Sequence, residues 1–596
     1  LKIKLLNGNI GNITRFKLLL LKSQDRLLPS KATGRAEILW SVLMEYLGFP
    51  TTHRKIVKVN LNGYKYKAIF QESPAKEFLE RWSIKESPII EFDERELWHK
   101  RISEETNNDP NPSHIGTKII NGSFIKNNSR LRILNEALIN PIIQKNFYEY
   151  PNLNLFKKEL YFYLNYKYAG HGMITHNLNF IYDDYYKIYY PIYKEGLIDI
   201  PKCTTRISLK FKKDNSRFIK KFEKRINSKI NNDELCFLKK ILYEIKGINH
   251  TNSKLKNPET NLARINMNPK FNEPLTYYYF NNKKNYPEKC LSGIGKNNCA
   301  KMTLEDAKTY FKGDYDIKKV DKKKPYPIFF KDTIAQKRKI VKINKKEKFL
   351  KINSDQNAYF NVGNKTLKLN IELEDNSSGN VVLIGNFNPD IVINVKDNRS
   401  DNYLKKSNKF FQEWNENYLT GCLTFLDSKF NGGFISFENS KCEDAINIVR
   451  SSGSINQIKI KNSISDSLDL DFSELKINEI NIENSKNDCS DFSYGKYYIK
   501  FGNFKNCGDK SISVGEKSEF KIDKFYSKNT LIGIASKDSS EVLLLNGFVE
   551  KNRGDCLSAY NKKQEFNGGK LIYNSIICEN KKFFTDAKSQ ILKNEK

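Results

Sequence analysis

Two groups of polar side chains in this sequence carry the chemical groups needed for metal binding or proton transfer. The first lies within residues 171–195 and is the densest polar cluster of the segment 1–200: His171, His176, Asn177, Asp183, Asp184 and Glu195. Carboxylate and amide oxygens bind hard cations such as Mg²⁺, and imidazoles bind metals or move protons. The spacing of the two histidines does not place both rings on one face of a helix. Residue chemistry alone therefore leaves two interpretations, a nucleotide or metal site and a set of hydrogen-bonded loop residues.

The second group is acidic and consists of Asp469, Asp471 and Asp491. Asp469 and Asp491 are separated by one full period of a repeat in this part of the chain. Asparagines that follow short apolar runs recur in steps of 23, 22, 22, 23 and 23, at Asn439, Asn462, Asn484, Asn506, Asn529 and Asn552. A repeat of this length, with an alternating apolar run in each copy, is typical of a parallel β-helix in which the copies stack as coils.

Stacked coils place equivalent residues about 4.8 Å apart. The asparagines are therefore predicted to form one column with hydrogen bonds from amide to amide. Asp469 and Asp491 are predicted to be neighbours, with Asp471 on the same face. Two carboxylates at this spacing repel unless a proton, a lysine or a cation lies between them. A Ca²⁺ site, solvated turn acids and a glycosidase pair all remain open.

The cysteines give no sign of compartment. Cys442, Cys489, Cys507 and Cys556 fall beside a second periodic mark, Asp444, Asp466, Asp488 and Asp509, and are predicted to be free and packed as small apolar residues. Cys290 and Cys299 flank a short loop that contains glycine, and a disulfide there would close it. The ten cysteines of the chain form no C-x-x-C pair.

Charge is concentrated in the middle of the chain. The net charge of the 596 residues is +32, of which residues 201–350 contribute +23 from 38 basic and 15 acidic residues, and residues 421–596 contribute only +2. A basic field favours anionic partners, although a chain rich in Lys, Asn and Ile also arises from codon bias alone. The absence of zinc spacings, an RNP-like motif or a basic recognition helix argues against nucleic acid. No apolar run in the sequence reaches the length of about 18 residues that a membrane span needs, so none is predicted.

The segment 1–200 alternates strands and helices. A strand is predicted at 13–23, a helix from Arg35 to Leu47 that ends at Gly-Phe-Pro, and a hairpin with Asn62-Gly63 at its turn, because Asn-Gly between alternating runs favours a tight hairpin. Helices at 75–85 and 124–168 and a Tyr-rich hairpin at 178–193 complete the set. The sequence begins at Leu1, as a fragment or a processed form would.

This order of elements, with Phe-Gln-Glu closing the hairpin, resembles the CotH spore-coat kinase family, some of whose bacterial members are fused to a β-helix. The resemblance implies a two-lobed atypical kinase fold that binds ATP with Mg²⁺ or Mn²⁺. It implies that Glu72 and Lys17 contact the nucleotide and that Asn177 binds metal. His171 stands where the family has its catalytic Asp, and Glu195 stands where a second metal-binding Asp is expected. These two replacements favour a pseudokinase, with His171 and Glu195 as the candidate catalytic residues and Glu195 also a candidate metal ligand.

The sequence therefore predicts a multidomain protein: an N-terminal α+β kinase-like module of the CotH type at 1–200, a basic helical extension at 201–330, and an all-β right-handed parallel β-helix at 340–590. The expected function is a bacterial surface or coat protein whose β-helix displays or recognises a protein or glycan outside the cell or at its surface. A purely structural or adhesive protein and a polysaccharide lyase or glycosidase are the alternatives. The enzyme alternative is disfavoured because all six histidines precede the repeats, so the repeats contain no histidine to act as a catalytic base.

Overall fold

The structure is a computed structural model. The residues it describes are 1–20, 34–93, 116–121, 137, 160–161, 164–165, 167–169, 179–183, 185–186, 188–193, 198, 200–203, 213–250, 275–279, 288–293, 296–301, 340–353, 357–375, 377, 380–400 and 419–594. The chain divides into two compact units. The first comprises Leu1–Leu5 and Arg15–Lys337, and the second comprises Leu6–Thr14 and Arg338–Lys596.

The first unit mixes strands and helices. Its strands are β1 Lys2–Lys4, β2 Arg15–Leu20, β3 Arg54–Leu61, β4 Tyr64–Glu72, β5 Ile89–Asp93, β6 Gly116–Ile119, β7 Asn179–Asp183, β8 Ile188–Ile192, β9 Leu275–Tyr279, β10 Glu288–Gly293 and β11 Lys296–Lys301. The helices whose bounds are described are α1 Arg35–Tyr46, α2 Lys76–Arg81, α3 Lys213–Ile226 and α4 Asn232–His250. The strands form a four-stranded sheet in the order β1-β2-β4-β3 and a seven-stranded sheet in the order β11-β10-β9-β6-β5-β7-β8.

The strand, the first helix and the two hairpins predicted in the segment 1–200 are confirmed. The β3–β4 turn pairs Leu61 with Tyr64 around Asn62 and Gly63, both of which have positive φ, as a tight hairpin turn requires. Helix α1 is rich in apolar residues, and eight of its twelve residues are buried, with Trp40 and Ile38 inaccessible to solvent.

The described helices and strands of segment 201–330 pack with the elements that precede them. Arg225 of α3 forms an ion pair with Glu45 of α1 at 2.5 Å, and Arg35 of α1 bonds Glu234 of α4 at the same distance. Strands β9 to β11 extend the sheet that contains β5 to β8. Among the described residues, no helix is long and apolar enough to cross a membrane.

The second unit is an all-β solenoid of about ten turns that starts at residue 340. Its strands are β12 Ile340–Ile343, β13 Glu347–Ile352, β14 Ala358–Val362, β15 Lys368–Leu373, β16 Val381–Phe387, β17 Val392–Asp397, β18 Gly421–Leu426, β19 Lys429–Asn431, β20 Phe434–Ser440, β21 Asp444–Val449, β22 Ser452–Ser463, β23 Asp466–Asp471, β24 Glu474–Ser485, β25 Ser490–Ser493, β26 Lys496–Cys507, β27 Lys510–Gly515, β28 Glu519–Lys528, β29 Ile532–Lys537, β30 Glu541–Glu550, β31 Leu557–Tyr560, β32 Lys570–Cys578, β33 Phe583–Thr585 and β34 Gln590–Lys593. The predicted parallel β-helix is therefore confirmed.

Each central coil consists of a short strand, a corner and a long strand. Successive long strands pair in parallel, for example Ile458 with Ile480 and Ile460 with Ile482. Alternate side chains point into the coil. The alternation slips by one residue at Asn478–Glu479, where two successive side chains point outward and the strand bends. Columns of fully buried isoleucines fill the interior, and each such side chain contributes about 1.5–3 kcal/mol by leaving water.

The asparagine column is confirmed at five positions and wrong at the sixth. The side-chain amides of Asn462, Asn484, Asn506 and Asn529 each donate to the Asn one coil earlier, at 2.8–2.9 Å, and Asn439 begins the column. All five have positive φ, which Asn tolerates better than other side chains. Asn552 leaves the column, because the step after Asn529 is 22 and Lys551 takes the positive-φ place. Asn552 instead bonds the carbonyls of Gly554 and Asn580.

The prediction of free cysteines in the coils is wrong. Cys422–Cys442, Cys489–Cys507 and Cys556–Cys578 form disulfides in the solenoid. Cys203–Cys236 forms another in the first unit, and Cys290 opposes Cys299 in the β10–β11 register. The prediction considered each cysteine only beside the Asp mark of its own coil, where a single cysteine is expected to pack as a small apolar residue. Each solenoid bond, however, joins residues 18 to 22 positions apart, so the partner lies about one coil away.

Candidate functional site: a groove along the solenoid

Two of the nucleotide-site residues predicted in the first unit are described, and they leave their sheet on opposite faces. Lys17 pairs with Gln71 and Phe16 pairs with Glu72 in the β2–β4 register. Paired residues share a face and successive residues alternate, so Lys17 and Glu72 point to opposite sides.

Glu72 is 1% exposed and has a set of partners that explains its burial. Its carboxylate forms an ion pair with Arg81 and accepts the backbone N–H of His53 at 2.8 Å. Arg81 also donates to the carbonyl of Thr51 at 2.9 Å. The pair joins β4, α2 and the start of β3. The Glu72 carboxylate is therefore hydrogen-bonded within the fold, and removal of either partner would leave a buried charge unpaired.

The first polar group, within residues 171–195, is mostly outside the described residues. His171, His176, Asn177, Asp184 and Glu195 all lie there. The kinase-like cleft, its metal ligands and its catalytic residues therefore stay predictions.

Asp183 is described, and it has a structural role in the β7–β8 turn. One carboxylate oxygen accepts the N–H groups of Tyr185 at 2.8 Å and Tyr186 at 3.4 Å, and the other accepts the Tyr190 hydroxyl at 2.9 Å. These bonds are those of a hydrogen-bonded turn residue.

The second predicted group has the expected geometry. Asp469 and Asp491 are register partners on β23 and β25. Asp469 accepts the side-chain amide of Asn447 at 2.9 Å, and the ammonium of Lys537 lies 3.8 Å from Asp491. Asp471 pairs with Ser493. Within the described part of the chain, no group of three or more His, Cys, Asp or Glu side chains is arranged to hold a metal.

A more deeply buried column of acids lies beside this pair. The carboxylate of Asp466 accepts the N–H of Asp488 at 2.9 Å, and Asp488 accepts the N–H of Lys510 at 3.0 Å. The repeat step after Asp488 therefore leads to Lys510. Asp509, which the sequence analysis placed in the periodic mark, lies beside the column. Burial and the charge of Asp488 raise the pKa of Asp466 to about 7. Burial also raises the pKa of Asp488, although the Lys510 ammonium, 3.3 Å away, opposes the shift.

A groove of about 850 Å³ follows the outer face of the first halves of the long strands. It is lined by Lys429, Phe430, Asn431, Ser452, Gly453, Ser454, Glu474, Leu475, Lys476, Lys496, Tyr497, Tyr498, Glu519, Phe520, Lys521, Glu541, Leu543 and Ile572. These residues come from seven stacked strands, so the groove is about 29 Å long at a strand spacing of about 4.8 Å. At Gly453, φ is +112° and a Cβ atom would lie 1.9 Å from the Phe430 carbonyl oxygen, so only glycine fits this part of the floor.

One outward column of the groove carries polar and aromatic groups in register, namely Ser454, Lys476, Tyr498 and Lys521. The Lys521 ammonium lies 5.4 Å from the centre of the Tyr498 ring, and the Tyr498 hydroxyl donates to Asp523. These contacts fix the ring in one orientation. The column continues through Leu543 to Ile572, so this column is apolar at its C-terminal end.

The other outward column carries charges of both signs. Lys496 forms an ion pair with Glu519 at 3.1 Å, and Glu541 forms one with Lys570 at 2.6 Å. Among the residues that the structure describes, neither Lys429 nor Lys476 has an ion-pair partner. The groove therefore presents fixed hydroxyl and aromatic groups together with two ammonium groups that can bind a ligand.

No family model, curated protein or solved structure matches this chain. The geometry of the site therefore carries the functional argument.

The groove residues were not predicted from the sequence, because outward residues of a coil follow no motif and share no residue type. One signal was present in the repeat itself. Lys476, Tyr498 and Lys521 follow one another in steps of 22 and then 23, the same steps as the asparagines. Reading every column of the repeat, and not only its most regular ones, would have placed these three side chains side by side.

Proposed function

We propose that the solenoid is a display and recognition domain that binds a linear glycan along this groove. The observation that carries the proposal is the column of Lys476, Tyr498 and Lys521, which line the groove in register at successive strands. A ligand whose own period matches the spacing makes a similar contact at each coil.

The period of about 4.8 Å discriminates between classes of polymer. An extended peptide repeats its side-chain direction every two residues, at about 6.6–6.8 Å, and stacked bases repeat at about 3.4 Å. An extended chain of pyranose rings has a length per ring close to the strand spacing. Its hydroxyls suit Ser454 and the lysines, and the apolar face of a ring suits Tyr498. Aromatic and polar groups that converge in a concave surface are typical of ligand sites.

The disulfides support a location outside the cell or at its surface, because such bonds persist in oxidising compartments. We further propose that the coils wind in the right-handed sense, because connections between parallel strands of one sheet are right-handed in nearly all proteins. Nucleotide binding by the first unit remains a prediction from the resemblance. A nucleotide titration with and without Mg²⁺ or Mn²⁺ tests it.

The test of the groove is binding of the full chain to neutral and acidic linear glycans, measured on an array and then by calorimetry. We expect Tyr498→Ala and Lys476→Ala each to weaken binding about 5–30-fold, since one buried contact contributes about 1–2 kcal/mol. Tyr526→Ala and Lys524→Ala are the matched controls, because they change the same residue types in the second halves of the long strands. Equal losses in the groove and control variants would contradict the proposal. Release of shorter glycans would favour the enzyme alternative.

A further inference from the structure

One of the solenoid disulfides lies against a buried guanidinium group. The guanidinium of Arg399 lies on Cys422–Cys442, with Nη2 at 3.1 Å from the Cys422 sulfur and 3.3 Å from the Cys442 sulfur. The Arg399 side chain is only 4% exposed, so its charge acts in a medium of low dielectric constant.

Asp397 holds Arg399 in this position. Its two carboxylate oxygens accept from Nε at 2.8 Å and from Nη2 at 2.6 Å, which is bidentate geometry. The backbone N–H of Lys441 also donates to Asp397 at 3.0 Å. The Cys422 sulfur is 3.7 Å from Asp397 Oδ2, within reach of a thiol hydrogen bond.

The Cys489–Cys507 disulfide supplies the comparison within the same solenoid. Both of its cysteines are fully buried, and the Ser511 hydroxyl, 3.5 Å from the Cys507 sulfur, is neutral. Within the described residues, no basic side chain bonds to either of these two sulfurs. Cys442 is only partly buried, so an external thiolate can reach it.

We propose that Cys422–Cys442 is a thiol–disulfide exchange site that accepts two electrons from a dithiol, with Arg399 as the positioning residue that stabilises each departing thiolate. The external thiolate attacks the Cys442 sulfur, the protein S–S bond breaks, and Cys422 leaves as a thiolate beside Nη2. Cys422 then takes up the proton that the second thiol of the dithiol loses, and donates it in a hydrogen bond to Asp397. The remaining thiolate of the dithiol attacks the dithiol sulfur that is bonded to Cys442. This step closes the external disulfide and releases Cys442 as a thiolate beside the same guanidinium.

The chemistry follows from the stability of the products. A cation in contact with a sulfur favours its thiolate form, and a thiolate that is stabilised is a better leaving group. A disulfide whose reduced form is stabilised is the stronger oxidant. Both sulfurs of this pair lie against the Arg399 guanidinium, whereas among the described residues the side chain bonded to the Cys489–Cys507 pair is the neutral Ser511 hydroxyl, at the Cys507 sulfur.

The experiment equilibrates the native full chain in buffers of reduced and oxidised dithiothreitol, alkylates free thiols and maps each disulfide by mass spectrometry. The ratio of reduced to oxidised dithiothreitol at which Cys422–Cys442 is half reduced is expected to be at least tenfold lower than the ratio for Cys489–Cys507. This corresponds to a difference of about 30 mV in reduction potential. Glutathione, a monothiol, is expected to add to Cys442 and not to Cys422. If the two disulfides are reduced at the same ratio, or Cys489–Cys507 first, the proposal is overturned.

Variants separate the role of the arginine from mere exposure. Asp397→Asn/Arg399→Gln removes both charges together and is expected to bring the two disulfides to the same ratio. Arg399→Lys keeps a cation and is expected to retain part of the difference. A double variant that folds and keeps the wild-type difference would refute the role of Arg399. If the variant does not fold, the wild-type ranking still decides whether the exchange site exists.

Discussion

The asparagine column allows a backbone effect to be separated from a hydrogen-bond effect at one position. Asn484 has φ of 63°, donates to Asn462 at 2.9 Å and accepts from Asn506 at 2.8 Å. Replacing it with alanine removes both bonds and places a Cβ residue in the left-handed region. Replacing it with glycine removes both bonds but adopts that region freely.

The magnitudes follow from these two terms. Two exposed amide bonds contribute about 1–2 kcal/mol in total, because each is at the low end of the usual range of about 0.5–1.5 kcal/mol. The left-handed conformation costs a residue such as alanine about 1–2 kcal/mol more than glycine. We therefore expect Asn484→Ala to lower the free energy of unfolding by about 2–4 kcal/mol and Asn484→Gly by about 1–2 kcal/mol. Urea unfolding followed by far-UV circular dichroism measures both, with the slope against urea checked for constancy.

The end of the column provides the controls. Asn552 does not have positive φ. Asn552→Gly is therefore expected to be no more stable than Asn552→Ala, in contrast to the two variants of Asn484. Lys551 has φ of 55° and follows Asn529 in the stack, so Lys551→Asn is expected to stabilise the solenoid by about 0.5–1 kcal/mol. Equal destabilisation by Asn484→Ala and Asn484→Gly would refute the backbone argument.

Three further predictions concern charged groups. The pKa of Asp466 is raised from 3.8 to about 7, so its contribution to stability is complete below about pH 4 and is lost as the pH rises to 7. We expect the thermal midpoint to fall less between these pH values in Asp466→Asn than in wild type. The same dependence of the midpoint on pH in both proteins would contradict the assignment. Glu72→Gln is expected to cost roughly 3 kcal/mol in urea unfolding because it leaves the charge of Arg81 without its partner, with part recovered in Glu72→Gln/Arg81→Met; full stability of the single variant would contradict this. A Ca²⁺ site at Asp469 and Asp491 predicts a higher melting midpoint with Ca²⁺ than with chelator in wild type but not in Asp469→Asn/Asp491→Asn, whereas no response in either would make these residues part of the turn structure alone.

The repeat made the solenoid predictable, because inward side chains and corner residues obey the same constraint in every coil. Asn462 and Asn484 could be placed from their spacing alone. Asn552 could not, since a single register step of 22 instead of 23 moves the corner to Lys551, and the residue type gives no sign of the change. The outward positions share no residue type from coil to coil, so Tyr498 and Lys476 could be found only by following the repeat step through every column.

The disulfides and the ion pairs show a second limit. Cys489 and Cys507 are close in space only because one coil lies on the next, and their pairing depends on which corner each one faces. The partner of Glu72 is equally hidden, because a family resemblance assigns a role by position and says nothing of Arg81 nearby. Composition and spacing predict elements and columns, whereas contacts between columns need coordinates.

The groove is built from coils of equal spacing, and this has a consequence for how the protein can change over generations. Because each coil contacts only its neighbours, a recombination event that duplicates or deletes one whole copy of the repeat preserves the register on both sides. Such an event changes the length of the groove by about 4.8 Å, the width of one strand. Related chains can therefore differ in the length of polymer that they accept, in whole coils, without a new fold and without any change in the residues that remain.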